Sequence, residues 1–243
     1  HLIRLCNWAI GISAITDNPT TTMVKSERRY TVPKRHGRLD NLNNEIGRFS
    51  LTVSQYKGSQ AKLTNDTVRH ILVLSLLTGR RADELRSLEW DWVNFDKRMI
   101  VIPGTAVSTD DPFSSFQGTK NRRDFVIPMA RILQTLLHTR FNNGSPMNDR
   151  FVFPGKDGTS PIQDMRITLK HIIEQAGVKR IIPHDLRRTF GTICRNVGSD
   201  YYTTKDAMGH KINDITADYI GDMSMKDKRI LFQKVSDYVS TSM

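Results

Sequence analysis

The segment from Thr67 to Leu77 constrains the fold more than any other. It reads Thr-Val-Arg-His-Ile-Leu-Val-Leu-Ser-Leu-Leu, so a helix built from it is apolar on nearly every side. Such a helix is enclosed by other elements rather than laid on a surface, and the chain must therefore wrap several of them around it. Asn65 and Asp66 are N-cap candidates, and Gly79 follows the helix end, where a left-handed C-cap favours glycine. Hydrophobic residues at 38% and charged residues at 25% of 243 can build such a core and do not read as disorder. That length allows one large domain, or one domain plus a fragment.

The remaining pattern predicts a mainly helical α+β fold with a small antiparallel sheet. Residues 43–55 read as a helix with Asn43 as N-cap and Ile46, Phe49 and Val53 on one side. A short helix follows near 82–88. Met99-Ile100-Val101-Ile102 and Asp124-Phe125-Val126-Ile127 are β-like runs, each followed by proline, and residues 150–153 suggest a third strand. Helical patterns return over 130–140, 162–176, 184–196, 204–208 and 215–220. The last helix, 225–239, has Ser224 as N-cap and an apolar stripe of Ile230, Leu231, Val235, Tyr238 and Val239.

Ahead of this body, residues 2–15 read as the last turns of a helix, ending before the breaker cluster Asp17-Asn18-Pro19-Thr20. Residues 20–42 have linker composition, rich in Lys and Arg. No run of about 18 apolar residues suggests a membrane span. No signal peptide is visible and there is no initiator Met, so a piece of a longer protein is expected. Cys6 and Cys194 make no metal-ligand spacing and read as reduced thiols of a cytoplasmic protein.

A net charge of +11 suggests a polyanionic partner, though charge alone is weak evidence. A two-metal nuclease would need paired carboxylates. Asp110-Asp111 is the one obvious pair, and it lies among turn formers. Without a metal, breaking a phosphodiester needs a nucleophile, cations for the non-bridging oxygens and an acid for the leaving oxygen. The segment His184-Asp185-Leu186-Arg187-Arg188-Thr189-Phe190 offers part of that set. His184 and Arg187, three apart at a helix start, share one face, and exposed N–H groups there favour an anion.

This His-x-x-Arg string resembles the signature box of the tyrosine recombinases of the phage-integrase kind, and three further elements of that family have counterparts here. Thr78-Gly79-Arg80-Arg81-Ala82-Asp83-Glu84-Leu85 resembles the family's first-arginine string, with Arg81 at the motif position, Arg80 in the variable slot and read as surface, and Glu84 as an acid that orients the site. Met208-Gly209-His210 resembles Leu-Gly-His, with a volume-conserving Met for Leu. Tyr219 lies nine residues beyond His210, at the family's spacing for its nucleophile. Lys120, in Gly118-Thr119-Lys120-Asn121-Arg122-Arg123, resembles the family's hairpin lysine. The connection 104–117 is longer than the family's, and Lys97, Arg122 and Arg123 compete for that role.

The resemblance runs from about Asn43 to Val239 and implies a catalytic domain over 43–243. Residues 1–19 would be the end of a preceding core-binding domain, 20–42 a basic linker, and 225–243 a C-terminal helix open to exchange between subunits. It implies the catalytic set Arg81, Lys120, His184, Arg187, His210 and Tyr219, with no metal and no cofactor. The implied partner is double-stranded DNA at attachment or core sites, cut through a 3′-phosphotyrosine by a homotetramer that integrates or excises a mobile element. A type IB topoisomerase-like enzyme and a catalytically silent DNA-binding relative are the alternatives. Tyr201, Tyr202 and Tyr238 read as packing or DNA-contact residues, and His36, His70, His138 and His171 match no motif.

Overall fold

The computed structural model describes residues 38–39, 44–56, 62–105, 116, 118–119, 122–143, 150–155, 157–210 and 223–241. The chain divides into two units, His1–Arg35 and His36–Met243, and every described residue belongs to the second. The helix and most of the linker expected over 1–42 lie outside the described residues, as does the helix expected over 215–220. Leu39 is described and fully buried. Its N–H donates to Thr189 Oγ1 at 3.1 Å, so the chain is already packed into the core there.

The helices are α1 (Glu45–Gln55), α2 (Lys62–Thr78), α3 (Ala82–Arg86), α4 (Arg131–Asn142), α5 (Arg166–Ala176), α6 (Pro183–Asn196), α7 (Tyr201–Ala207) and α8 (Met225–Thr241). Strands β1 (Val93–Asn94), β2 (Met99–Ile102) and β3 (Phe125–Pro128) lie between α3 and α4, with a 3-10 turn at Trp90–Trp92. As its sequence requires, α2 is central: it packs against α1, α3, α4, α5, α6 and α8. Val68, Ile71, Leu72, Leu74, Leu76 and Leu77 are each at most 2% exposed. Each such side chain contributes about 1.5–3 kcal/mol on burial. Ser75 and Thr78 are buried without cost because their hydroxyls donate to Ile71 O and Leu74 O. The helix starts at Lys62, so Asn65 and Asp66 lie inside its first turn rather than capping it.

The sheet has the order β1-β2-β3 and both pairings are antiparallel. Ile100 faces Ile127 and Val101 faces Val126 across the β2–β3 ladder. Ile100, Ile102 and Ile127 are fully buried, which fixes the register, because a one-residue slip would turn them outward. The third strand is Val93–Asn94 and not the expected 150–153. The latter run makes an isolated bridge, Glu89 with Phe151, followed by a second at Pro154 with Pro161, and Pro154 has no N–H to extend either into a ladder. The fold is thus mainly helical with a small antiparallel sheet, as the sequence predicts.

The final helix runs to Thr241 and is capped as expected: Asp227 N–H donates to Ser224 Oγ at 3.2 Å. Leu231, Phe232, Val235 and Val239 are at most 5% exposed, packed toward α2, α6 and β3, while Ile230 remains 47% exposed. Tyr238 accepts from Asn196 Nδ2 at 3.1 Å.

Candidate active site

Three chain turns meet at the end of α2. The first is the turn out of α2 itself. Gly79 has φ +61°, the left-handed C-cap conformation that glycine adopts without strain. A Cβ there would lie 2.3 Å from Phe190 Cδ1, so both space and conformation exclude a larger residue. The chain then enters α3, where Glu84 folds back on the turn. Its Oε2 accepts from Arg81 N–H at 3.2 Å and its Oε1 from Arg81 Nη1 at 3.1 Å.

Arg80 is not a surface residue: it is 2% exposed. Its Nε and Nη2 lie 2.7 and 2.6 Å from Glu84 Oε2. Its Nη1 donates to Met208 O at 3.2 Å, and its guanidinium sits 3.8 Å from the Phe125 ring centroid. The four-residue spacing to Glu84 is the sequence signal that could have found it. Arg81, by contrast, keeps 28% of its side chain exposed.

The second turn is the start of α6. Pro183 opens the helix, and Asp185 caps it by accepting from Ile182 N–H at 3.1 Å. His184 is exposed at this end. One turn on, Arg187 is 1% exposed. Its Nη1 donates to Gly79 O and its Nη2 to Met208 O, both at 2.7 Å.

The third turn ends α7. Asp200 caps the start of that helix through Thr203 N–H at 2.9 Å. At the other end Gly209 N–H donates to Asp206 O at 2.7 Å and His210 N–H to Lys205 O at 2.9 Å. These two bonds form a Schellman motif with Gly209, at φ +64°, in the left-handed position. The Met-Gly-His string is therefore a helix stop that aims His210 at Arg187. Met208 sits under the turn, its Sδ 3.3 Å from where a Cβ on Gly191 would stand.

Arg80 and Arg81 thus share one carboxylate, Glu84, while Arg187 beside them donates to backbone carbonyls, and the electrostatics record the excess of positive charge. Burial first, then Arg80 and Arg81, push Arg187 down to about 9, which leaves it charged at neutral pH. Burial, then Arg187, Lys205, Arg81 and Arg80, push His210 down to about 4. His184 is lowered too, by burial and then by Arg187. Both imidazoles are therefore neutral at pH 7, their charged forms opposed by burial and by the neighbouring arginines. An anion at this place would relieve that excess.

Lys120 and Tyr219 lie outside the described residues, but the chain flanking each is placed. Next to Lys120, Thr119 Oγ1 donates to Arg123 O at 2.7 Å and Arg122 N–H to Thr119 O at 2.9 Å. The long connection is pinched at its base: a Cβ on Gly118 would lie 2.3 Å from Gly104 O. The Tyr219 segment is flanked by His210 on one side and by Met223 on the other, whose N–H donates to Asp206 Oδ2 at 3.2 Å. Both anchors are thus on the last turn of α7. Arg81, Glu84, His184, Arg187 and His210 lie together at this end of the fold; Arg80 and Phe125 join them without having been expected.

Among known proteins, the chain is 28% identical over 172 residues to the prophage integrase IntZ of Escherichia coli, covering 69% of this chain and 38% of that protein. It is 27% identical over 198 residues to the tyrosine recombinase XerA of Pyrococcus furiosus, covering 73% of this chain and 62% of the relative. The chain therefore spans less than two thirds of the length of either. The integrase from mycobacterium phage Brujita superposes with a TM-score of 0.54 at 18% identity, over 99% of this chain and 74% of that one. The Tn1549 transposon integrase in complex with transposon right end DNA gives 0.60 at 17% identity, over 95% of this chain and 75% of that one. At those identities the likeness establishes the fold. The model of the phage integrase family matches residues 51–224, a stretch that contains all three turns meeting around Arg187. A match over more than two thirds of the sequence decides the matter: the chain belongs to the phage integrase family.

Proposed function

We propose that this chain is the catalytic domain of a site-specific DNA recombinase that cuts and rejoins strands through a 3′-phosphotyrosine. The observation that carries the reading is the clustering of Arg187 with Arg80 and Arg81: Glu84 pairs with the latter two, Arg187 donates to backbone carbonyls, and the excess of positive charge fits a phosphodiester. Its solved structural neighbours include an integrase in complex with transposon DNA.

In the forward step the Tyr219 hydroxyl oxygen attacks the scissile phosphorus and loses its proton. The bond from phosphorus to the 5′ oxygen breaks, and that oxygen leaves as a hydroxyl after taking a proton from Lys120. Arg81 and Arg187 hold the non-bridging oxygens as charge builds on them. His210 donates to the same phosphate, and neutral His184 can take up a proton. The phosphotyrosine keeps the energy of the broken bond, so a different 5′ hydroxyl can reverse the step and exchange strands without ATP. No metal or cofactor enters the step as written.

The natural partner is double-stranded DNA at attachment or core sites, bound by a homotetramer in the cytoplasm, where the enzyme integrates or excises a mobile element. The exposed Ile230 face of α8 is the part of residues 225–243 available for exchange between subunits. The test is covalent capture. Nicked duplexes cut from the ends of the element that carries the gene are incubated with the protein in EDTA and resolved in SDS. An adduct that disappears in Tyr219→Phe and falls in Lys120→Ala supports the reading. DNA binding with no adduct in the wild type favours a silent DNA-binding protein instead.

A further inference from the structure

Arg80 fills the slot between Gly79 and the motif arginine, where the resemblance asks for no particular residue. Its burial is costly unless it does something, because a guanidinium loses strong hydration on leaving water. Burial indeed pushes its pKa down, against the pull of Glu84. Its surroundings are specific. Glu84 takes two of its N–H groups, the Met208 carbonyl takes a third, and Phe125 lies against its face. A Cβ on Gly209 would stand 2.7 Å from its Nη1 and 2.9 Å from Phe125 Cε2, so the Gly209 backbone is packed against both groups.

These contacts join three parts of the site that are far apart in sequence. Glu84 is the residue that holds Arg81. Phe125 begins β3, five residues beyond Lys120 in the sequence. Met208 and Gly209 form the helix stop that presents His210 and opens the segment carrying Tyr219. The Met208 carbonyl accepts from both Arg80 and Arg187, so one oxygen is aligned by two cations. There is also a matter of charge. With Arg81 as its only partner, Glu84 would cancel the charge meant for phosphate. With Arg80 as a second partner, the carboxylate is shared with the buried side, and Arg81, still 3.1 Å from Glu84 Oε1 and 28% exposed, has its charge only partly compensated.

We infer that Arg80 is a positioning residue for strand cleavage: it holds Glu84, Phe125 and the Met208–His210 turn in one register and, by sharing Glu84, leaves the exposed part of Arg81 to meet the phosphate. This rests on the strand-transfer reading above. Arg80 is 2% exposed and its guanidinium is engaged by Glu84 and Met208 O, so its loss is expected to act on the rate at saturating DNA and not on affinity.

The test compares the wild type with Arg80→Met, Arg80→Lys and the double variant Arg80→Met/Glu84→Gln. Each is measured for the rate of adduct formation at saturating nicked duplex, for duplex affinity, and for thermal stability. Arg80→Met is expected to slow adduct formation by on the order of 10²-fold, the scale of a small misplacement of reacting groups, with affinity within about threefold. Arg80→Lys can pair with Glu84 but cannot also reach Met208 O, so it recovers part of the rate. The double variant removes the stranded carboxylate; it regains stability and stays slow. A wild-type rate in Arg80→Met, or in the double variant once it is folded, overturns the proposal. So does a slow Arg80→Met that Arg80→Lys does not improve. Absence of an adduct in the wild type overturns the strand-transfer reading itself, and the inference with it, so the two failures are told apart by the wild-type lane.

Discussion

Arg187 Nη2 lies 2.7 Å from the carbonyl oxygen of Met208, across 21 residues of sequence, while its Nη1 reaches Gly79 O at the same distance. One fully buried side chain thus ties the end of α2 to the end of α7 and leaves its helix start facing the same place as Arg81 and His210.

A lysine at 187 cannot make both bonds, since it brings one ammonium in place of a fork. Arg187→Lys is expected to slow adduct formation by about 10²–10³-fold, the usual effect of removing a donor to a transition-state oxyanion. It should also destabilise the fold by about 1–3 kcal/mol through an unpaired buried carbonyl. Single-turnover cleavage and urea unfolding read the two effects separately.

Gly79→Ala should be among the more disruptive small changes in the protein. The added Cβ meets Phe190 Cδ1 at 2.3 Å, and Phe190 is fully buried against Phe232 at 5.8 Å. Left-handed strain of about 1–2 kcal/mol adds to overpacking of about 1–3 kcal/mol. The expected loss is the sum, read as a lowered urea midpoint. Making room with Phe190→Leu should relieve the overpacking part, so that the double variant is less unstable than the two single losses added.

Much of this was legible in the sequence, for reasons that differ by residue. The apolar run 67–77 could only be a central helix, and Gly79 marked its stop; Gly209 is legible in the sequence only as part of Met-Gly-His, and its left-handed φ of +64° is what the structure adds. Val93–Asn94 went unseen as a strand because two residues carry no period; the turn over Phe95–Arg98 makes it one, closed by Lys97 N–H to Asn94 Oδ1 at 2.7 Å. The run 150–153 pairs less than expected: its bridge to Glu89 ends where the chain enters the 3-10 turn at Trp90–Trp92. Arg80 and Arg81 show the limit most clearly. Two adjacent arginines have the same chemistry in sequence, and only the turn at Gly79 decides which is drawn under Met208 and which is left facing out.

His210 gives the site a pH signature. Burial, and then the neighbouring cations, hold it at about 4 in the free protein, below the ordinary 6.5. A phosphate beside Arg187 offsets those cations and raises the imidazole, so the complex binds a proton that the free protein does not. DNA affinity at constant salt is expected to increase as pH falls from about 6.5 toward about 4, and His210→Gln should lose that increment. The free protein moves the other way. Its unfolded chain protonates His210 and His70 at ordinary values while the folded form resists, His70 being held at about 3 by burial, Arg140 and Arg69. Stability that is complete above pH 6.5 is therefore lost as pH falls. Fluorescence anisotropy for binding and thermal melts for stability, both from pH 7 to pH 4.5, check the two signs.

The central claim is that Tyr219 becomes joined to DNA. Trypsin releases it in the peptide Ile212–Lys226, whose only tyrosine is Tyr219. The most direct measurement is mass spectrometry of the trypsin- and nuclease-digested adduct formed on nicked duplex in EDTA. This peptide is expected to carry a 3′-nucleotide through a phosphate on Tyr219, with no modified peptide from Tyr219→Phe. A nucleotide on any other peptide, or a modified peptide that persists in Tyr219→Phe, would contradict it.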